Sequence, residues 1–540
     1  MENVWSERLA RYRRSLVIAG GVAAAGALAL TAAGVGQAQS SADEQGAGGR
    51  DLPLETLADY TPFEQFAPLP TSAQCVSGGN FAQPFVIPAG YTQQIVDVED
   101  FAGDRTKDLW DMNTQNESGK DKGRFIYRTH EVGAALDTQT PEQREQNGSQ
   151  VSVTDLQTGQ TSVVAERPDL ERFDGIVWTP QGTILAGEET SSAQKRDPQV
   201  PQATAGLVYE FFIEEDDPTK LDPSREQIAP DADGEPGGVL ADGTTDTVKD
   251  GIRARPALGS KSHEGMRFDK RGYYYGISEV NGGTVYRFVP DDPGDLSTGQ
   301  LSAIKTANGR TGQGTWVPLD RAAVQVNADV EARRVGANGY QRPEDVETAT
   351  STGRDLNNGQ QTVYFAVTGA GFGQTNSPGN VFAIDTQQKE RPFVYAYAGP
   401  EAGNATFPDF QSPDNLALDH EGNLAISEDP GGNFPQKQRG DDVWIAKAPQ
   451  DGDQRSDDDE ATGAGREPAE TVQRFASLTD CDGEPTGIYF SGEDNSFTNE
   501  AGETVTTTEE TLFVNQQHAG PGQAPDKLIA ITPTDEDGGN

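Results

Sequence analysis

His263-Glu264-Gly265-Met266-Arg267-Phe268-Asp269-Lys270-Arg271-Gly272-Tyr273-Tyr274-Tyr275-Gly276-Ile277-Ser278-Glu279 is the stretch on which the fold turns. It reads as a polar and acidic pair, a short apolar strand, a turn closed by glycine, a second apolar strand, and another acidic end. The same order returns upstream. Phe173-Asp174-Gly175-Ile176-Val177-Trp178 leads through Pro180-Gln181-Gly182 to Ile184-Leu185 and Glu188-Glu189. It returns again downstream, where Ser412-Pro413-Asp414-Asn415-Leu416-Ala417-Leu418 leads through Asp419-His420-Glu421-Gly422 to Leu424-Ala425-Ile426 and Glu428-Asp429. Arg342-Pro343-Glu344-Asp345-Val346 and Glu484-Pro485-Thr486-Gly487-Ile488 open units with longer turns, their second strands at 363–367 and 512–514. Near the start, Phe125-Ile126-Tyr127 ends in His130-Glu131.

A third strand follows each unit, at 151–153, 207–209, 285–288, 381–384, 443–445 and 528–531, and fourth-strand candidates lie at 161–165, 393–397 and 472–475. Units of about four short strands with no bare edge predict an all-β chain, a six-bladed β-propeller over residues 81–535 with acidic loop insertions. After Ile531 no length remains for a last outer strand, so Phe85-Val86-Ile87 and the segment 93–98 are expected to supply it from the N-terminal side. An open stack or a pair of sandwiches is the competing architecture. The acidic, Gly- and Pro-rich stretches 214–255 and 449–470 read as surface loops.

Composition agrees. Gly 62 and Pro 33 in 540 residues suit many tight turns, and hydrophobic residues make up only 34%. A formal charge of −44 repels nucleic acid and anionic membrane surfaces, so no nucleic-acid partner is expected. Because the acidity is spread along the chain, most of it reads as a solvated surface suited to high salt.

Residues 1–38 read as a signal peptide. Arg8, Arg11, Arg13 and Arg14 precede an apolar run from Leu16 to about Val35, and Gly36-Gln37-Ala38 offers small residues for cleavage. The Arg13-Arg14 pair resembles a twin-arginine export signal. The run is also nearly long enough to serve as an uncleaved anchor. Residues 39–80 form a polar tether and N-terminal segment. Export to the periplasm, cell surface or medium is expected, with membrane contact only if the leader is retained. The two cysteines, Cys75 and Cys481, exclude a cysteine-based metal centre and are either one disulfide or two separate small residues.

Inner strands of a propeller run along one channel, so equivalent positions meet at its mouth. The repeat places Glu131, Glu188, Glu264, Glu279, Glu344, Asp414 and Glu428 at or beside such strand ends. Converging carboxylates repel one another unless a cation compensates. Oxygen donors without thiolate favour Ca²⁺, Mg²⁺ or a hard trivalent ion. Glu189 and Glu484 belong with this set, as do His130, His263 and His518, three of only four histidines; His420 lies in a turn and reads as surface.

These motifs resemble the PhoX-type alkaline phosphatases, exported calcium-dependent phosphomonoesterases. The resemblance spans roughly residues 80 to 535. Its most specific pieces are His130-Glu131, Trp178-Thr179-Pro180-Gln181-Gly182-Thr183 with Glu188-Glu189, His263-Glu264, Arg342-Pro343-Glu344-Asp345, Pro413-Asp414-Asn415-Leu416 and Gln517-His518-Ala519-Gly520. The resemblance implies a propeller with a channel-end cluster of calcium and iron. Glu264, Glu344 and Asp414 match cluster carboxylates, Glu131, Glu188 and Glu189 match nearby acids, and Arg342 matches an arginine that holds phosphoryl oxygens. Gly187 stands where the family's iron-ligand cysteine is expected, and Val280-Asn281 is less acidic than the family's pattern. Calcium is therefore the expected ion, with Fe³⁺ lacking that ligand.

The function expected is metal-assisted hydrolysis of a small phosphate ester by a monomer. A non-catalytic calcium-binding propeller and a propeller esterase or lactonase are the alternatives.

Overall fold

The computed structural model describes Phe63 and residues 66–534, apart from 100–108, 120, 133–147, 194–196, 198, 227–248, 349–361, 370–378, 389, 406–408, 430–438, 450–465, 500 and 519–524. The expected leader or anchor lies outside the described residues, as do most of the two acidic loops.

Three hairpins of the repeat are closed by the same local chemistry. Gly182, Gly272 and Gly422 take φ of +72°, +74° and +88°, a region open to glycine at little cost. Three residues before each glycine stands a side-chain acceptor. Asp269 Oδ1 takes the amides of Arg271 (2.9 Å) and Tyr273 (3.1 Å), and Asp419 Oδ1 those of Glu421 (2.9 Å) and Asn423 (2.8 Å). Thr179 Oγ1 does the same for Thr183 at 3.1 Å. An acceptor at the first turn position and glycine at the fourth thus set strand register before any packing.

The hairpins grow into small antiparallel sheets. Leu109–Gln115, Phe125–Glu131, Gln150–Asp155 and Gln160–Glu166 form one, and Phe173–Trp178, Ile184–Glu188, Val208–Phe211 and Ile252–Ala254 the next. Met266–Phe268, Tyr274–Ile277, Val285–Pro290, Gly299–Thr306 and Gly312–Pro318 follow; the last joins edge to edge with Phe393–Ala398, whose own sheet runs inward through Asn380–Asp385 and Thr362–Val367 to Pro343–Thr348. Pro413–Leu418, Leu424–Glu428, Asp442–Ala446 and Val472–Leu478 form another sheet, and Gly483–Phe490, Leu512–His518, Lys527–Pro533 and Tyr91–Val98 the last. The innermost strands pack in a closed cycle: Leu109–Gln115 on Phe173–Trp178, then Met266–Phe268, Pro343–Thr348, Pro413–Leu418, Gly483–Phe490, and back to the first. The fold is mostly β, in a propeller-like arrangement. Apolar side chains fill the space between neighbouring sheets, as with Tyr127, Phe173, Trp178 and Tyr209 between the first two.

N-terminal closure takes a more specific form than the sequence suggests. Tyr91–Val98 pairs with Lys527–Pro533, Gln93 opposite Ile531, as expected. Phe85–Val86 does not share that task and pairs with Val472–Leu478 of the neighbouring sheet. Pro88 and Gly90 (φ +90°) turn the chain between the two, so one run cannot serve one edge. Ile252–Ala254 is an outer strand inside a stretch expected to be loop. The helix Arg321–Val335 was also not legible, since its buried residues are three short apolar ones, Val324, Ala328 and Ala332, beside the acids Asp329 and Glu331; Asp320 caps it by accepting from the amides of Ala322 and Ala323.

Cys75 and Cys481 form a disulfide, 406 residues apart, which resolves the open alternative. It ties the N-terminal segment to the base of the last sheet's inner strand. Closing so long a loop constrains the unfolded chain strongly, and Cys75→Ser is expected to lower stability by roughly 3–5 kcal/mol, measured by urea unfolding without reductant.

Candidate metal centre

Each innermost strand has an acid at or just before its start: Asp111, Asp174, Glu264, Glu344, Asp414 and Glu484. In four of these strands the acid lies inside a break of register with the second strand, between Trp110 and Asn113, Phe173 and Ile176, Pro343 and Val346, and Pro413 and Leu416. A bulge re-aims the side chain that a regular pleat would send sideways. The next residue locks neighbouring inner strands together. Asp345 Oδ2 accepts from the Leu416 amide (2.8 Å), and Asn415 Oδ1 from Thr486 Oγ1 (2.7 Å) and the Gly487 amide (2.5 Å). At Gly265 the neighbouring strand comes so close that a Cβ would sit 1.7 Å from Asp345 Oδ1.

A second tier of acids comes from the far end of the second strands: Glu131, Glu189, Glu279 and Asp429. Among the described residues these acids gather in three groups whose ligand oxygens lie within 4.8 Å of one another, two of them drawing on both tiers. These are Asp111, Glu131 and Asp174; Glu189, Glu264 and Glu279; and Glu264, Glu344 and Asp414, with Glu264 common to two. Glu484 is hydrogen-bonded to Asp429 beside Asp414.

Burial is severe. Asp111, Asp174, Glu264, Glu344 and Asp414 are each under a tenth exposed. Desolvation first, and the neighbouring carboxylates second, push Asp111, Asp174, Glu189, Glu264, Glu344, Asp414 and Glu484 well above the ordinary carboxylate range. Glu279 moves the other way. Burial opposes its charge, but the hydrogen bond with Glu189 and the Arg342 guanidinium outweigh it. Two charges at this spacing repel by on the order of 3 kcal/mol in a partly screened interior.

Two arginines lie in the belt. Arg342 bonds Glu279 Oε1 (2.6 Å from Nη2) and lies 3.2 Å from Glu344. Arg172, which the sequence reading did not single out, contacts Glu131 (3.0 Å) and Glu189.

Several predicted residues are placed elsewhere. Glu188 is turned away from all three groups and accepts the amides of Glu171 (2.9 Å) and Leu207 (3.0 Å). Glu428 likewise accepts from Gln411 N (3.1 Å) and Trp444 Nε1 (2.9 Å). Adjacent residues of a strand face opposite sides, so in Glu188-Glu189 and Glu428-Asp429 only the second can reach the mouth. His130 is buried with Nε2 on Ser152 Oγ at 2.7 Å, and His263 is held between Lys261 Nζ and the Gly259 carbonyl, both at 2.9 Å. Neither ring joins an acid group. The His518 side chain lies outside the described residues. At Gly187 a Cβ would meet His263 Cβ at 2.6 Å and Met266 Cε at 3.4 Å, so the backbone packs closely against the His263 side chain.

Asp111, Asp174 and Asp429 escaped the sequence reading as site residues. A spacing of fifteen residues, shared by Asp174/Glu189, Glu264/Glu279 and Asp414/Asp429, would have found two of them. Glu188 and Glu189 should separate in experiment. Glu188→Ala strands two buried amides and is expected to lower stability by about 3 kcal/mol with bound metal unchanged, whereas Glu189→Ala lowers metal content; urea unfolding and elemental analysis of both variants check this.

Comparison with known proteins adds the family. No curated protein sequence matches. Among solved structures, PhoX of Pseudomonas fluorescens in complex with vanadate, a transition state analogue, aligns with a TM-score of 0.52 at 18% identity, covering 88% of this chain and 99% of that one. A putative gluconolactonase (TM-score 0.36, 10% identity, 83% of this chain and 93% of that one covered) and the aldose sugar dehydrogenase of Streptomyces coelicolor (0.33, 12%, 83% and 100%) align more weakly. The family model described as alkaline phosphatase PhoX matches residues 177–520, well over half of the chain and a span that holds Glu189, Glu264, Glu279, Arg342, Glu344, Asp414 and Glu484. The chain therefore belongs to the PhoX alkaline phosphatase family.

Proposed function

We propose that the protein is an exported, metal-dependent phosphomonoesterase whose six blades converge six inner-strand acids on one channel mouth. The observation that carries this reading is the joining of the acid groups: Glu264 is shared by two of them, Arg172 links Glu131 of the third to Glu189, and Arg342 bridges Glu279 and Glu344.

The residues present fit hard cations. Every donor in the three groups is a carboxylate oxygen, His130 and His263 are hydrogen-bonded elsewhere, and Asp174 Oδ1 is buried with no hydrogen-bond partner. Such a set suits Ca²⁺, and ferric iron equally as a hard ion. Gly187 offers no side chain, so no thiolate joins these carboxylates as an iron ligand. Asp111, Glu131 and Asp174 would hold one ion, Glu189, Glu264 and Glu279 a second, and Glu264, Glu344 and Asp414 a third. When bound, such ions neutralise the charge of a phosphate ester and polarise its oxygens. The chain's own part is to orient and to exclude water. Arg342 donates its planar fork to the non-bridging oxygens. The locked inner strands keep the carboxylates in place without reorganisation.

The substrate reading follows from the arginine and from family membership, and is supported by the vanadate complex of the Pseudomonas fluorescens relative, vanadate being described there as a transition state analogue. Export rests on the Arg-rich apolar N-terminal segment, and the Cys75–Cys481 disulfide suits an oxidising compartment. The test is hydrolysis of p-nitrophenyl phosphate with added Ca²⁺ and after chelation, beside p-nitrophenyl acetate. Calcium-dependent turnover of the phosphate ester is expected. Folded, metal-loaded protein that cleaves only the carboxyl ester would overturn the reading.

A further inference from the structure

Arg172 and Arg342 occupy the same place in two repeat units. Each stands two residues before its inner-strand acid, Asp174 or Glu344, and each has φ near +48° (48° and 49°). Each carbonyl accepts the amide that ends the second strand, Glu189 N for Arg172 (2.8 Å) and Thr368 N for Arg342 (3.0 Å). Ser262 and Ser412 take this position in the units after each, their carbonyls bonded by Glu279 N (3.2 Å) and Asp429 N (3.0 Å). Guanidinium groups therefore come from alternate units of the cycle.

Their surroundings match as well. Arg172 bridges Glu131 and Glu189, and Arg342 bridges Glu279 and Glu344. Glu189 and Glu279 are hydrogen-bonded to each other. The two arginines thus flank one carboxyl pair from opposite sides. Counter-ion arginines elsewhere in the fold range from Arg474 and Arg267, at 0% and 2% side-chain exposure, to Arg439 on Glu428 and Asp442, at 30%. Arg172 and Arg342 are 34% and 33% exposed. The left-handed backbone belongs to the position itself, since Ser412 shares it at φ 45°; what distinguishes Arg172 and Arg342 is the guanidinium each places beside the acids. Arg172 lies ahead of the residues that the family model matches.

We propose that Arg172 is a second phosphate-contacting arginine, facing Arg342 across the Glu189–Glu279 pair, and that the two select a dianionic phosphomonoester over a diester. The inference rests on the phosphatase reading of this site. A monoester offers three non-bridging oxygens and two charges to two planar forks, whereas a diester offers two oxygens and one charge.

The test uses the full, metal-loaded protein. Inorganic phosphate binding is measured by calorimetry, with p-nitrophenyl phosphate and bis(p-nitrophenyl) phosphate kinetics and elemental analysis alongside. Arg172→Gln is expected to raise the phosphate Kd and the monoester KM about 10- to 100-fold, to change kcat less, and to leave diester turnover and bound metal unchanged. Arg172→Lys keeps the charge but loses the fork, and is expected to weaken phosphate binding several-fold. That variant decides the matter if Arg172→Gln fails to fold, because a mere counter-ion would tolerate lysine. Phosphate affinity unchanged in Arg172→Lys and Arg172→Gln, or lost only in step with metal, overturns the proposal. If the parent protein itself neither binds phosphate nor cleaves the monoester, the phosphatase reading falls first, and this inference with it.

Discussion

Chelation of the purified protein is expected to lower its melting temperature by roughly 5–10 °C, and calcium to restore it. Three ions each present at about a hundred times their dissociation constant would add about 2.7 kcal/mol apiece. Spread over the unfolding entropy of a domain this large, that sum becomes a shift of this size. The more telling result is a reversal of sign. In chelator, Asp174→Asn is expected to raise the melting temperature above that of the parent, because it removes one of the crowded charges of the Asp111, Glu131 and Asp174 group. With calcium present the same substitution lowers it, because a ligand is gone. An ordinary packing residue would shift both curves the same way. Differential scanning calorimetry of the two proteins under both conditions checks the prediction.

The second large effect is on activity. Glu344→Gln and Asp414→Asn are each expected to reduce p-nitrophenyl phosphate turnover by on the order of 10²–10³-fold and to reduce bound metal by about one ion per chain. Both residues share a group with Glu264, and both sit in bulges that aim them inward. Glu428→Gln, also a buried acid beside this strand system, is expected to leave the metal count intact, because its carboxylate serves Gln411 N and Trp444 Nε1. Initial rates and elemental analysis on all three variants separate the ligand role from general burial.

Much of this arrangement was legible in the chain. The acceptor and glycine of each turn, as in Asp269-Lys270-Arg271-Gly272, mark hairpins by local chemistry alone. Repeating that signal at intervals gives the closed cycle, and with it the meeting of Glu264, Glu344 and Asp414. What escaped did so for physical reasons. Leu109–Gln115 is polar along much of its length, so no apolar run announced the strand that carries Asp111. Glu188 and Glu428 were read with their neighbours as pairs, although the pleat allows only one of two successive side chains to face the mouth. The histidines at strand ends were scarce and well placed, yet His130 and His263 are buried in hydrogen bonds to Ser152, Lys261 and Gly259. Arg172 depends on a left-handed turn and a contact with Glu131 from another sheet, neither of which local sequence displays.

The most direct test is anomalous diffraction from crystals of the protein purified with its metal retained. Peaks at about 2.3–2.6 Å from the oxygens of Asp174, Glu264 and Asp414, within the three acid groups, are predicted for calcium. Folded protein whose inner-strand acids share protons with one another, with no ion among them, would contradict the account.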